Sequence, residues 1–258
     1  MIYNNFIYEK KDHIVVLSFN RPKSLNVLNM ETLYELEKVI NDISNDPDAR
    51  VIIFTGSGKA FIAGADIAEM EKMTPGEANK YSMFGSELFR KLVNMNKITI
   101  AAINGYCFGG GNEFSLHCDL RYASKSALFG QPEVGLGIIP GFSGTQALPR
   151  LVGMAKAKEL LFTGKTISAT EAYHIGMINN VFEDDVFFDE VLKIAGIIAK
   201  NSFQAVIHCK RSIHEGYQKP YHEAIIVEAN QFGKCFESPE QKEGMRAFIE
   251  KRTPNYRK

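Results

Sequence analysis

Between Asn104 and Gly144 the chain reads NGYCFGGGNEFSLHCDLRYASKSALFGQPEVGLGIIPGFSG, with two carboxylates, Glu113 and Glu133, set among glycines. Three consecutive glycines, Gly109–Gly111, cost roughly 0.5–1 kcal/mol each in backbone entropy where alanine would fit. They make sense where a strand turns sharply into a helix and leaves amide N–H groups free at its N-terminus. Such amides bind an anion or a developing oxyanion. Glu113 falls in the first turn of that helix. Glu133 lies beside Val134, Leu136, Ile138 and Ile139, in a segment with five glycines between 130 and 144. Apolar surroundings raise a carboxyl pKa and suit acid chemistry. Upstream, KAFIAGAD (Lys59–Asp66) is a second glycine-containing turn after a strand, able to aim another amide. Two amides and two carboxylates suit a carbonyl that gains negative charge while protons move. Taken singly, the local pattern favours plainer readings: a tight turn with a Glu complementing the helix dipole, and a solvated loop Glu.

Other motifs nearly match and fail. Gly56-Ser57-Gly58-Lys59 has Ile53 where a phosphate loop needs its first Gly, and Ala60 after the Lys. Gly141-Phe142-Ser143-Gly144-Thr145 ends in Thr where a nucleophile elbow has Gly. His222-Glu223 has no second His four residues on, so no zinc site is expected. No G-x-G-x-x-G follows a strand, and a dinucleotide fold has no support.

The elements that must position these groups alternate in the first half. His13–Phe19, Val51–Thr55, Thr99–Asn104 and Leu120–Ala123 read as strands, and Met30–Ile43 and Ala78–Val93 as helices. Gly109–Gly111 opens a helix through about Cys118. This order with buried strands predicts an α/β fold with layered sheets. After Gly144 the patterns are helical (Ala147–Leu151, Ala155–Phe162, Ala169–Ile175, Phe187–Ser202, Phe203–Glu215, and most of Tyr221–Arg252), with one strand over Met177–Phe182. A boundary near residue 200 separates a core, 1–200, from a helical region, 201–258.

The 258 residues are 45% hydrophobic and 23% charged, with 30 basic and 30 acidic side chains. A neutral chain has no global field to gather nucleic acid. The four cysteines form no C-x-x-C pair and read as reduced thiols. No leader pattern opens the sequence, and Val51–Phe54 and Ile98–Ile103 are far short of the ~20 residues a bilayer needs. A soluble cytoplasmic protein is expected, with no membrane or nucleic-acid partner.

Five stretches in order resemble the enoyl-CoA hydratase (crotonase) family, over nearly the whole chain: Asn20–Leu28 (NRPKSLNVL), Phe61–Ile67 (FIAGADI), Ala101–Glu113 (AAINGYCFGGGNE), Phe129–Gly141 (FGQPEVGLGIIPG) and Gly244–Arg252 (GMRAFIEKR). The resemblance implies a spiral of ββα units followed by C-terminal helices that mediate trimerisation, with homotrimers or homohexamers. It also implies an oxyanion hole from the amides of Ala65 and Gly110. Glu113 would activate the water attacking C3, and Glu133 would exchange the proton at C2. It implies an acyl-CoA thioester substrate, no cofactor and no metal. Candidate substrate contacts are Lys23, Lys59, Ala63, Asp66, Ile67 and Lys251, and candidate acyl-pocket residues are Phe108, Gly141 and Phe142.

Both carboxylates are present, which favours a hydratase over an isomerase, whose proton shuttle needs one base. Gly135–Phe142 and Gly233–Glu240 resemble bacterial short-chain members of the family and point to crotonyl-CoA. Phe142-Ser143 departs from the family's usual Ala-Gly and leaves open a branched or functionalised acyl group, such as a methylglutaconyl or carnityl thioester. Ala68 stands where a lysine near the phosphates is frequent. An RNA-binding relative is the reading from another class, and zero net charge with no basic run argues against it.

Overall fold

A computed structural model describes residues 2–256, and the chain divides into two compact units, Met1–Leu192 and Lys193–Lys258. In the first, strands β1 (Phe6–Lys11), β2 (Ile14–Phe19), β3 (Val51–Gly56), β4 (Ala60–Ile62), β5 (Ile98–Ile103), β6 (Tyr106–Phe108), β7 (Leu120–Ser124), β8 (Leu128–Gly130), β9 (Ile167–Ser168) and β10 (Asn180–Phe182) are interleaved with helices. These are α1 (Met30–Ser44), α2 (Ile67–Met70), α3 (Pro75–Asn94), α4 (Gly110–Leu116), α5 (Gly144–Val152), α6 (Met154–Thr163) and α7 (Ala169–His174). Helix α8 (Phe187–Lys200) carries the chain across the unit boundary, and α9 (Phe203–Gly216), α10 (Tyr221–Cys235) and α11 (Pro239–Ile249) follow.

The strands form two sheets, ordered β1-β2-β3-β5-β7-β10 and β4-β6-β8-β9. Three successive turns of chain each give one strand to the large sheet and the next to the small one: β3 then β4, β5 then β6, β7 then β8. Helices follow each pair, so the ββα spiral is the fold observed. Within the large sheet only β1 and β2 are antiparallel, in register from Phe6 opposite Phe19 to Lys11 opposite Ile14. All six residues of β5 and the first five of β3 are buried, which is why these strands read as unbroken apolar runs rather than alternating ones.

The helices begin where the sequence supplies caps. Asn29 accepts the N–H of Thr32 ahead of α1, whose apolar stripe is Leu33, Leu36, Val39, Ile40 and Ile43. Thr74 and Glu77 form a reciprocal capping box at α3, with Pro75 in the first turn. One aromatic hub matters for the site. Phe114 of α4 meets the rings of Phe19, Phe54, Phe61 and Phe89 at centroid distances of 5.4, 5.0, 6.2 and 5.2 Å. Offset and edge-on rings at this spacing add to area burial, and they fix the helix that bears Glu113.

Some expectations are corrected. The strand expected over Met177–Phe182 is confined to Asn180–Phe182, because the carbonyl of Met177 is taken by the buried Arg121 guanidinium and Asn179 turns to donate to Arg121 O. The helix expected to reach Cys118 ends at Leu116, where Arg121 Nη1 binds the carbonyls of Ser115 and Cys118. β1 was not expected, since only Phe6 of its six residues is buried and no alternation shows, and the small-sheet strands were not, since two or three residues give no period.

In the second unit, α9 packs on α10, with Gly216 close to Ala224. Ser202 caps α9 and donates to Glu240, and His208 Nδ1 lies 2.8 Å from Gln231 Oε1. Among the described residues, no helix is long and apolar enough to cross a membrane.

Candidate active site

Gly109 and Gly111 bring α4 to the site by close approach. Gly109 has φ 49°, and a Cβ there would fall 2.8 Å from Glu133 Oε1. A Cβ on Gly111 would lie 2.1 Å from the carbonyl oxygen of Ile62 in β4, so the helix start rests on strand backbone. Glu113, one turn in, is 1% exposed. Its Oε1 accepts the N–H of Phe142 at 2.8 Å and of Gly144 at 2.7 Å. Both bonds fall on one oxygen, which leaves Oε2 for a water or a substrate. Burial pushes the Glu113 carboxyl up to about 8, against the two amide donors, and the neighbouring Glu133 adds to the rise.

Glu133 stands on a short 3₁₀ turn, Pro132–Leu136, directly after β8, closed by Gly137 at φ 78°. It is buried, and its Oε2 has no hydrogen-bond partner among the described residues. Burial raises its pKa as well. The solvated-loop reading therefore fails for Glu133, which is buried; Glu113 does stand in the first turn of its helix, as the dipole reading expects, but it is also buried and bonded to the loop amides.

The first turn of chain supplies an amide. Leu28 N donates to Gly64 O at 2.8 Å, and Asp66 N donates to Leu28 O at 2.9 Å, so Leu28 clamps both flanks of Ala65. Among the described residues, neither the N–H of Ala65 nor that of Gly110 donates to a protein acceptor. The two come together: a Cβ on Gly110 would sit 3.6 Å from Ala65 N. Asn26 holds the whole turn. It is buried at φ 58°, accepts from Arg21 N, and donates to the carbonyls of Ser57 and Ala60.

A cavity of about 830 Å³ joins these groups, lined by Ala65, Gly110, Glu113 and Glu133 and walled by Val27, Ala63, Ile67, Met70, Met73, Tyr81, Ile139, Gly141 and Phe142. Of the residues expected from sequence, Ala63, Ala65, Ile67, Gly110, Glu113, Glu133, Gly141 and Phe142 line it together. Phe108 does not; its ring stacks on Tyr106 at 5.7 Å. Asp66 is outside the lining and caps α2 by accepting from Ala68 N. Lys23 and Lys59 are exposed on neighbouring turns, where a Cβ on Gly58 would be 3.1 Å from Pro22 Cβ. Lys251 lies in the second unit, exposed at φ 55°. Among the described residues, no three His, Cys, Asp or Glu side chains could hold a metal ion.

Sequence reading missed the α3 wall. Tyr81 and Ser82 line the cavity, and the buried Tyr81 hydroxyl has no hydrogen-bond partner among the described residues. The available signal was Gly85, a glycine inside a helical pattern, which marks a close approach. A Cβ there would lie 2.2 Å from the Phe142 ring.

Residues 9–258 match the family model described as enoyl-CoA hydratase/isomerase. The chain is 47% identical over 257 residues to a crotonyl-CoA hydratase from Syntrophomonas wolfei, covering 99% of each. It is 47% identical over 253 residues to a short-chain-enoyl-CoA hydratase from Clostridium acetobutylicum, covering 98% of this chain and 97% of that one. Among solved structures, an enoyl-CoA hydratase from Bacillus anthracis superposes with a TM-score of 0.95 at 38% identity, covering 98% of this chain and 99% of that one.

Proposed function

The chain belongs to the enoyl-CoA hydratase/isomerase family, and from that premise we propose that it is a short-chain enoyl-CoA hydratase in which Glu113 and Glu133 move the protons. It is a hydro-lyase that adds water to a short 2-enoyl-CoA such as crotonyl-CoA, giving the 3-hydroxyacyl-CoA. The observation that carries the assignment of roles is the pairing of two buried carboxylates with two free amides in one cavity.

Ionised Glu113 takes a proton from a water as the water oxygen bonds to C3. The C2=C3 electron pair moves toward the thioester, and the negative charge on its oxygen is met by the N–H groups of Ala65 and Gly110. Neutral Glu133 gives its proton to C2, and the pair then exchanges one proton with solvent to reset. Raised pKa values suit both tasks: burial makes ionised Glu113 a stronger base, and burial of Glu133 favours its protonated form. Dehydration runs the same steps in reverse. The thioester substrate supplies the electron sink itself, so this reading needs no cofactor.

The bulk of Phe142 at the cavity wall supports a short acyl chain. Lys23 and Lys59 are the phosphate contacts of this reading, with Lys251 a third. Assembly into trimers or hexamers belongs to it too, supported by exposed Ile213, Tyr217, Tyr221, Phe232 and Phe248 in the second unit. So does a cytoplasmic location. Light scattering that finds a monomer at micromolar concentration overturns the assembly.

Loss of the crotonyl-CoA enone absorbance on adding the protein tests the reaction, and inactivity on every C4–C10 enoyl-CoA defeats it. A branched or carboxylated thioester favoured over crotonyl-CoA tenfold in kcat/KM, about 1.4 kcal/mol in transition-state binding, shifts the substrate instead.

A further inference from the structure

Ser82 faces the cavity from α3, and its Oγ donates to the carbonyl oxygen of Gly141 at 2.5 Å. That carbonyl belongs to the same peptide group as the N–H of Phe142, which donates to Glu113 Oε1 at 2.8 Å. One planar unit thus has a hydroxyl bonded to its oxygen and a carboxylate bonded to its N–H. Because the peptide is rigid, the angle of one bond sets the angle of the other. We propose that Ser82 is a positioning residue for Glu113, acting through the Gly141–Phe142 peptide to orient the N–H and strengthen its bond to the carboxylate. This rests on the reading of Glu113 as the group that activates water.

Three further observations support the relay. A hydrogen bond accepted by a carbonyl polarises the amide it belongs to, so the N–H on the other side becomes a better donor. The peptide sits in an irregular segment between the 3₁₀ turn and α5, next to Ser143 at φ 78°, where no sheet ladder holds its plane. Finally, α3 grips the segment at adjacent points: the Phe142 ring fills the space over Gly85, and Ser86 Oγ lies 3.5 Å from the same Gly141 oxygen, a weak second donor at best. Ser82 therefore provides the strong polar contact between the α3 wall and the loop that binds Glu113.

The bond matters because Glu113 needs help to ionise. Burial opposes its charge, and the donors at Phe142 and Gly144 oppose burial. The titratable groups facing it are Glu133 from the turn after β8 and Tyr81 from α3, while His117, just past the end of α4, meets the Glu113 backbone carbonyl through Nδ1. A weaker Phe142 donor leaves the proton on Glu113 to higher pH.

Ser82→Thr and Ser82→Val match in shape and differ in the hydroxyl. The Val variant is expected to lose about three- to tenfold in kcat on crotonyl-CoA relative to Thr, the scale of one neutral hydrogen bond. KM should stay within about twofold, and the limb of the pH–rate profile that reports Glu113 should move up by about half a unit. Ser82→Ala is read the same way if valine disturbs the helix. Equal kcat and equal pH profiles for Thr and Val overturn the proposal, as does a change confined to KM, which would make Ser82 a substrate contact. Glu113→Gln, assayed alongside, separates the two levels. If it hydrates at the wild-type rate, the role of Glu113 falls. If it is inactive while Thr and Val agree, only the relay falls.

Discussion

Gly85 of α3 and Phe142 of the loop before α5 are fitted to each other: a methyl group on Gly85 would lie 2.2 and 2.3 Å from two carbons of the Phe142 ring. The ring is buried and also meets Tyr81 and Phe89 at 5.0 and 5.4 Å. Its backbone N–H holds Glu113, so packing at Gly85 bears on the chemistry.

Gly85→Ala should therefore destabilise, although alanine is the better helix former by about 1 kcal/mol. Overpacking of this kind costs about 1–3 kcal/mol and outweighs the propensity gain. Adding Phe142→Ala should relieve the clash, so the double variant should be less damaged than the sum of the singles, read as a coupling energy from urea unfolding. Additive losses would show that Gly85 and Phe142 do not compete for this space.

Glu113→Gln and Glu133→Gln should each lower kcat by about 10²–10⁴-fold, the range for a lost acid–base group. KM should move much less, because in the proposed reading contacts to the nucleotide, away from the carboxylates, hold the thioester. If the two act on one water and one carbon, the double variant should lose far less than the product of the singles. Isomerase chemistry gives another pattern, in which Glu133→Gln alone abolishes proton exchange at C2; deuterium incorporation measured by mass spectrometry distinguishes them.

The pH dependence of stability follows from the buried carboxyl. Glu113 is raised from 4.5 to about 8 by burial. Between those values the folded protein keeps a proton that the unfolded chain has released, so stability falls as pH rises through that window. Glu113→Gln removes this titration and keeps an oxygen to accept the Phe142 and Gly144 amides. Its Tm should exceed that of the wild type by an amount that grows from pH 5 to pH 8, with about 2–4 °C for each kcal/mol in a chain of this size. A constant gap across that range would argue against the raised pKa.

Gly109→Ala should cripple activity more than folding. The position is at φ 49° and ψ −123°, and a Cβ would press within 2.8 Å of Glu133 Oε1. Strained backbone at such a site costs on the order of 1–3 kcal/mol, while displacement of Glu133 would remove the proposed proton donor to C2. A folded variant by circular dichroism with kcat down by ~10²-fold or more is the expected result; near wild-type kcat would mean that Glu133 tolerates displacement.

The pattern of residue types was enough to single out both carboxylates, the two glycine-containing turns and the α/β class, while the amides of Ala65 and Gly110 were named by the resemblance. The reasons are local: three glycines beside a Glu mark a helix start, and continuous apolar runs such as β3 and β5 mark strands buried on both faces. The small sheet was not legible, because β4, β6 and β8 are three residues long and give no period. The signature around Asn26 and Leu28 was visible only as a resemblance. Its physical task, clamping the turn that carries Ala65, emerges from hydrogen bonds to Gly64, Asp66, Ser57 and Ala60. Phe108 and Asp66 sit close in sequence to the site, yet one ring is turned onto Tyr106 and the other side chain caps a helix.

What tertiary structure alone decided is the environment of the chemistry. Whether Glu113 and Glu133 are solvated or buried depends on residues 29 and 31 positions away that fold back onto Glu113, and on α3, whose sequence shows no chemical motif. A carboxylate's identity is written in one residue, but its pKa, its free oxygen and its partner are set by atoms that only the packed chain brings within a few ångströms.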